Sequence, residues 1–221
     1  MGVVLLVRHG QASFGADDYD VLSDAGWEQG RLLGGWLRER AFAPTAVVRG
    51  GMRRHRETVE AMAAGGDWPD VGVDPGWDEF DHLSVVEAYP DIPEHQLDRR
   101  EFQRVFELAT ARWSGGGHDH EYAEPWPAFR ARVRAAFEAA AADAGPGGAS
   151  VVVTSGGPIA AVCADLADPE ADDATYARLW SRFNTVLVNS SVTRVVVGST
   201  GARLLTFNEH PHLEGRHLTY R

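Results

Sequence analysis

Four short stretches of this chain hold residue types suited to one kind of chemistry. Arg8-His9-Gly10 sets a cation, an imidazole and a backbone-permissive residue side by side, and Arg49-Gly50-Gly51 leads within one helical turn to Arg54. Thr154-Ser155-Gly156-Gly157 offers hydroxyls followed by paired glycines, and Glu79 stands between Trp77 and Phe80. Phosphoryl transfer requires fixed cations around the equatorial oxygens, a nucleophile in line with the leaving group, and an acid for the departing oxygen. Arginine fits the first role because its planar fork binds phosphate bidentately and stays charged. Neutral imidazole is a nucleophile available near neutral pH, which gives His9 the second. A carboxyl held protonated by partial burial fits the third, and Glu79 is the candidate. Backbone N–H groups at Gly156 and Gly157, if they open a helix, add an anion-binding terminus.

Any one of these stretches alone is weak, since an Arg-His pair is an ordinary surface feature. What joins them is their position. Val3–Val7, Thr45–Val48 and Ser150–Val153 are apolar, largely β-branched runs that predict buried strands, and each runs straight into one of the polar corners. In an open parallel sheet ligands bind at the carboxyl ends of strands, so the three corners would converge.

The intervening segments read as helices. Ser23 is a credible N-cap for a helix to about Arg40, with Leu22, Trp27, Leu33, Trp36 and Leu37 at helical spacing. A second helix is expected from about Met52 to Ala64, crowded with Arg53, Arg54, His55 and Arg56. Arg49, Arg53 and Arg56 read as solvated or paired helix-surface charges. Pro125 and Pro127 open a long helix to about Ala144, with Phe129, Val133 and Phe137 on one stripe and Gly145-Pro146-Gly147-Gly148 as its stop. Pro158 suits another helix start, running to about Leu166, and 168–182 suits one more. Val71-Gly72-Val73 is a short third strand, and 186–197 with 203–207 predict a closing hairpin. The expected fold is an α/β three-layer α/β/α sandwich with a mostly parallel central sheet and an antiparallel edge. Residues 1–221 are expected to form a single domain. Within it 84–124, punctuated by Pro90, Pro93 and Gly115-Gly116-Gly117, reads as a helical cap insertion.

Composition excludes several classes. With 221 residues, 44% of them hydrophobic, a sizeable core is attainable, and the net charge of -11 argues against nucleic acid or an anionic membrane as partner. All 21 cationic residues are arginine, so Schiff-base and P-loop lysine chemistry are absent. The single Cys163 excludes an internal disulfide and reads as a small buried hydrophobe. No signal-peptide pattern opens the chain and no apolar run approaches the ~20 residues of a membrane span, which points to a cytoplasmic protein. His118, His120, His210, His212 and His217 show no spacing of a helix-borne metal pair, so no metal is expected. Trp113, Trp126 and Trp180 suit either the core or an interface, and a homodimer stays open.

Leu6-Val7-Arg8-His9-Gly10-Gln11 resembles the signature of the histidine phosphatase (phosphoglycerate-mutase-like) superfamily. The resemblance extends through Met52-Arg53-Arg54-His55-Arg56-Glu57-Thr58, Glu79, Val152-Val153-Thr154-Ser155-Gly156-Gly157, Asn189-Ser190-Ser191-Val192-Thr193 and Asn208-Glu209-His210-Pro211-His212-Leu213. It implies a phosphoglycerate-mutase-like fold and a metal-independent phosphomonoester hydrolase without cofactor, acting on a small phosphorylated metabolite. His9 would be phosphorylated during turnover, and Arg8 and Arg54 would clamp the phosphoryl group. Glu79 would donate the proton, with Gln11, Ser13, Ser155 and Gly156 around the phosphate. The chain departs from the pattern at Ser155, where a second histidine is usual, and at Gly15, where asparagine is common. It also has Asp81-His82-Leu83 where true mutases carry a glycine-rich sequence. A lost donor of the second-histidine kind is worth ~10²–10³ in rate. Two substitutes are conceivable: His82, three residues after Glu79, or neutral donation by Gln11, Ser13 and Ser155 together. Two alternatives stand beside the hydrolase: a weakly active or inactive relative that binds phosphorylated ligands or proteins, and, less favoured, phosphoglycerate mutase.

Overall fold

The computed structural model describes residues 1–13, 20–93 and 95–220, with Arg99 described by its backbone alone. Gly15 therefore lies outside the described residues. The sheet follows from alternation within its central strands. In β1 (Gly2–Arg8), Val4 and Leu6 point to one face while Leu5 and Val7 point to the other, and all four are buried. β4 (Ala149–Thr154) repeats the pattern, with Val152 on the first face and Val151 and Val153 on the second. Strands with both faces covered must be apolar throughout, which is why both read as continuous valine-rich runs.

Six strands form one sheet in the order β3-β2-β4-β1-β5-β6, adding β2 (Ala46–Arg49), β3 (Val71–Val73), β5 (Val192–Gly198) and β6 (Gly201–Glu209). β3, β2, β4 and β1 are mutually parallel, and the direction reverses at β5, which pairs antiparallel with both β1 and β6. Register decides what the strand ends bring together. Arg8 stands opposite Thr154 and Arg49 opposite Val153, so the residues that follow them emerge along one rim. Backbone bonds carry that alignment past the strands: His9 N–H donates to Thr154 O at 2.8 Å and Gly50 N–H to Val153 O at 3.1 Å.

Helices α1 (Asp24–Glu39) and α2 (Arg53–Ala63) cover one face, where Leu33, Leu37, Val59 and Met62 meet Leu5, Val7, Val151 and Val153. Their close approach depends on Gly34, where a Cβ would lie 2.1 Å from Met62 O. Ser23 caps α1 by accepting from Gly26 N–H, as the sequence implied. The other face is covered by α5 (Trp126–Ala144), α6 (Gly156–Ala167) and α7 (Asp173–Asn184). α7 starts later than expected because Asp172 provides its cap, accepting from Thr175 N–H.

The segment between β3 and α5 carries α3 (His82–Glu87) and α4 (Arg99–Ser114). Val85, Val86, Val105, Ala109 and Trp113 from this segment join the same apolar cluster as Phe80, Trp126, Phe129 and Trp180. Trp113, Trp126 and Trp180 are all buried there, with ring centroids 4.8–6.0 Å apart, so they belong to the core and not to an interface.

The closing hairpin differs from expectation at its start. Residues 186–191 are not strand, because side chains take their backbone groups in place of a neighbouring strand. Asn208 accepts from Val188 N–H and donates to Val186 O, both at 2.8 Å, while Arg8 Nη1 donates to Leu187 O. Ser190 takes a left-handed conformation, φ 62°, and its N–H donates to His9 O at 3.1 Å. Among the described residues no helix is long and apolar enough to cross a membrane.

Candidate active site

His9 follows β1 directly and is 7% exposed. Its Nδ1 lies 2.7 Å from Gly10 O. A carbonyl can only accept, so Nδ1 carries the proton and Nε2 keeps its lone pair. The imidazole is also held neutral. Burial, and then the charges of Arg54 and Arg8 with the nearby His55, push its pKa well below the ordinary 6.5, opposed only by the Gly10 bond. A nucleophilic nitrogen with a fixed tautomer thus stands among cations.

Those cations come from two elements. Arg8 ends β1 and donates through Nη1 to Leu187 O and, at 3.0 Å, to Tyr220 O, so the C-terminal tail fixes its guanidinium. Arg54 lies on the first turn of α2 with its side chain 7% exposed. It donates through Nη1 to Asp20 Oδ1 at 2.7 Å and through Nη2 to Ser155 Oγ at 3.4 Å. The bland charges behave as expected: Arg53 pairs with Glu57 at 2.7 Å and Arg56 with Glu60 at 3.5 Å along α2.

Thr58, one turn after Arg54, locks α2 to the loop bearing His9. Its Oγ1 accepts from Gly10 N–H at 3.0 Å and donates to Arg54 O at 2.7 Å. Thr58→Val keeps the shape but leaves the Gly10 N–H buried and unsatisfied. We expect it to lower unfolding free energy by about 1–3 kcal/mol in urea melts, with Thr58→Ser much closer to the parent. Behind the same loop, the buried Gln29 accepts from Gln11 N–H at 2.8 Å and donates to His217 O and Thr219 Oγ1 at 2.7 and 2.8 Å.

Glu79 reaches the rim from the loop after the 3-10 turn Pro75–Trp77. Its Oε2 accepts from Gly157 N–H, 3.1 Å away at the start of α6, and Oε1 from Phe80 N–H at 3.2 Å. Gly157 must be glycine for this approach, since a Cβ there would lie 2.1 Å from Glu79 Oε1. Gly156 opens α6, and a Cβ on it would come within 3.9 Å of Arg8 Nε.

The remaining residues singled out in the sequence divide. Ser155, fully buried, sits at the rim between Arg54 and α6. Gln11 is bonded toward α1, its Oε1 accepting from Ser23 Oγ at 3.2 Å, and Ser13 N–H donates to Val21 O at 2.8 Å. His82 begins α3 with its ring edge-on to Phe106, centroids 6.3 Å apart. Burial chiefly lowers its pKa, with Glu79 raising it and Arg54 lowering it. Cys163 is fully buried in α6 and its thiol is pushed up to about 12, which leaves no thiolate near neutral pH. Among the described residues no three His, Cys, Asp or Glu side chains converge as a metal-ligand set.

One residue at this rim escaped sequence reasoning as a site residue. His55 is 0% exposed, its Nε2 lies 2.8 Å from Ser155 Oγ, and its ring centroid is 5.8 Å from that of His9. The signal was present in the spacing: counting back four from Val59 and seven from Met62, both buried, puts position 55 on the inward face of α2.

The model of the histidine phosphatase superfamily (branch 1) matches residues 4–210. Three solved structures illustrate the shared fold. A phosphoserine phosphatase mutant from Entamoeba histolytica, in complex with phosphoserine, has TM-score 0.67 at 15% identity over 97% of this chain and 100% of that one. A mycobacterial glucosyl-3-phosphoglycerate phosphatase has TM-score 0.62 at 20% identity over 94% and 99%. The alpha-ribazole phosphatase of Shigella flexneri has TM-score 0.65 at 18% identity over 94% and 96%. No curated protein matches the sequence. A family match over nearly the whole chain, on a mixed sheet whose rim gathers His9 and Arg8 from the end of β1 and Arg54 from α2, shows that the chain belongs to the histidine phosphatase superfamily, branch 1.

Proposed function

We propose that this histidine phosphatase hydrolyses small phosphomonoesters without a metal, through a phosphohistidine at His9. The observation that carries the reading is the neutral, tautomer-locked imidazole of His9, buried beside Arg8 and Arg54. In the first step Nε2 attacks phosphorus as the P–O bond to the leaving group breaks, and the Glu79 carboxyl gives its proton to the departing oxygen. The Nδ1–H bond to Gly10 O steadies the positive charge that the ring then carries. In the second step Glu79 carboxylate takes a proton from water, the water oxygen attacks phosphorus, and the P–N bond breaks. Inorganic phosphate leaves and His9 returns to its neutral form. Arg8 and Arg54 hold the equatorial oxygens throughout, aided by the α6 N-terminus at Gly156.

All three structural neighbours are phosphatases by name, two of them of small phosphorylated metabolites, which favours a compact substrate here too. A net charge of -11 around a small cationic pocket also disfavours polyanions. The 84–124 segment, with α3 beginning three residues after Glu79, acts in this reading as the cap that selects the leaving group.

Incubation with an aryl phosphate in the presence of a chelator tests the reading. Turnover with an acid-labile, base-stable phosphoprotein is the expected result. Phosphate binding without turnover would instead support the binding-module reading, which Ser155 in place of a second histidine motivates. Phosphoryl exchange between the hydroxyls of phosphoglycerate would support a mutase. Gly157→Ala gives a gentler check. Its Cβ collides with the mobile end of Glu79, so kcat is expected to fall by as much as ~10²-fold while Tm stays near the parent's.

A further inference from the structure

We propose that His55 supplies the second imidazole of the phosphoryl site, with Ser155 as its hydrogen-bond partner. The proposal rests on the hydrolase reading above. Position 155 is where the family resemblance places a histidine; here the end of β4 carries a hydroxyl instead, and the neighbouring helix carries the ring. The exchange is geometric: His55 Nε2 reaches to 2.8 Å from Ser155 Oγ, so two short steps span the gap one long side chain would fill. Arg54 Nη2 lies 3.4 Å from the same oxygen, and the His9 ring is 5.8 Å away, which keeps the pair within the phosphate cradle.

A buried core histidine would be expected to satisfy both nitrogens, and this one does not. Among the described residues Nδ1 has no hydrogen-bond partner, although Asp78 Oδ1 faces it at 3.8 Å. Leaving a buried polar nitrogen unpaired has a cost that packing does not explain. The surroundings have been cleared for the ring as well. Gly50 lies against it, and a Cβ there would fall 2.3 Å from Nδ1 and 2.7 Å from Asp78 Oδ1. Asp78 is itself fixed by Gly51 N–H at 2.5 Å and Met52 N–H at 3.3 Å, so its carboxyl is aimed, not adrift.

Burial first, and then the charges of Arg54 and Arg49, disfavour protonation of His55, while the Asp78 carboxyl faces it from the other side. With the ring neutral, a proton on Nδ1 toward Asp78 leaves Nε2 to accept from the Ser155 hydroxyl. A phosphomonoester, with a second pKa of ~6, brings negative charge to this pocket, and its monoanion, a minority form at neutral pH, also brings a proton. With that proton on Nε2, the imidazolium stands between the Asp78 carboxylate and the phosphoryl oxygens, and the Ser155 hydroxyl turns to donate to phosphate. No covalent bond forms at either residue. His55 thus supplies, through Ser155, the positive charge that a serine hydroxyl alone lacks.

Steady-state kinetics with nitrophenyl phosphate and inhibition by orthovanadate test this, using His55→Ala, His55→Gln and the double exchange His55→Ala with Ser155→His, beside His9→Ala. His55→Ala is expected to lose ~10²–10³ in kcat and to bind vanadate correspondingly less well. The double exchange should recover at least about tenfold over His55→Ala, because it returns an imidazole to the same oxygens from the other element. His55→Gln keeps volume and a donor, so its melting curve should match the parent's while its rate remains low. His55→Ala within about threefold of the parent, beside a dead His9→Ala, overturns the proposal alone. So does a folded double variant no faster than His55→Ala, or a His55→Gln that retains the parent's vanadate affinity. A parent protein that neither turns over nor forms phosphoprotein overturns the hydrolase reading and takes this proposal with it.

Discussion

His9→Ala is expected to abolish turnover, lowering kcat by on the order of 10⁴–10⁶ and eliminating the phosphoprotein, because in the proposed mechanism His9 is the group that opens the covalent route. Phosphate and vanadate should still bind, since Arg8 and Arg54 come from the ends of β1 and the start of α2 and keep their own anchors. Rapid-quench trapping with a labelled substrate reads the first outcome, and calorimetry with vanadate reads the second. Residual turnover within tenfold of the parent would remove His9 from the nucleophile role.

The same variant has a signature in stability. His9 has a native pKa depressed well below the unfolded value of about 6.5, chiefly by burial. Below pH 6.5 the unfolded chain therefore binds a proton that the native state refuses, so stability is full above that pH and falls as pH drops toward the native pKa. Removing the ring removes this share of acid lability. His9→Ala should lose less stability than the parent between pH 6.5 and 5, measured by urea melts. If His9 is the nucleophile, its lowered pKa predicts that the acid limb of a pH–rate profile comes from another group.

Glu79→Gln is expected to show its effect selectively. A general acid contributes typically ~10²–10⁴, and its contribution grows with the basicity of the oxygen that must leave. An alkyl phosphate should therefore lose the full factor, whereas a nitrophenyl phosphate, whose leaving oxygen needs little help, should lose far less in phosphoryl transfer to His9. In the proposed mechanism dephosphorylation uses the same carboxylate as base, so the phosphoenzyme should accumulate with the aryl substrate and slow its steady state. A pre-steady-state burst with nitrophenyl phosphate, absent for the alkyl ester, is the expected pattern. Equal losses for both esters with no burst would assign the proton to another group. Glutamine's single carbonyl oxygen can keep the bond from Gly157 N–H, while the weaker one from Phe80 N–H is lost, so a melting curve close to the parent's accompanies the kinetic test.

Much of this protein is legible in its residues taken in order. The valine-rich runs of β1, β2 and β4 announce buried strands, because only continuous apolar sequence suits a strand covered on both faces. Their abrupt endings in Arg8-His9, Arg49-Gly50 and Thr154-Ser155 mark the rim, and Ser23, Pro158 and the glycines at 145–148 mark helix ends, since caps and turns obey local rules. The parallel core with its reversal at β5 follows from the same local reading.

What only the tertiary structure decided is which side chain meets which across elements distant in sequence. Val186-Leu187-Val188 is as apolar as a strand, yet Asn208 and Arg8 claim its backbone groups and the His9 carbonyl takes Ser190 N–H. The tautomer of His9 depends on the path of its own chain through Gly10, a matter of backbone direction and not of residue type. Trp113, Trp126 and Trp180 come together from three helices, and nothing in their spacing separates core from interface. Above all, the sequence showed an absence at Ser155 and pointed along the chain to His82, whereas register and the packing of α2 on the sheet put His55 against that hydroxyl. A linear chain reveals neighbours at helical or strand spacing; a contact 100 residues apart depends on how strands are ordered and helices docked, and only the folded sheet fixes that.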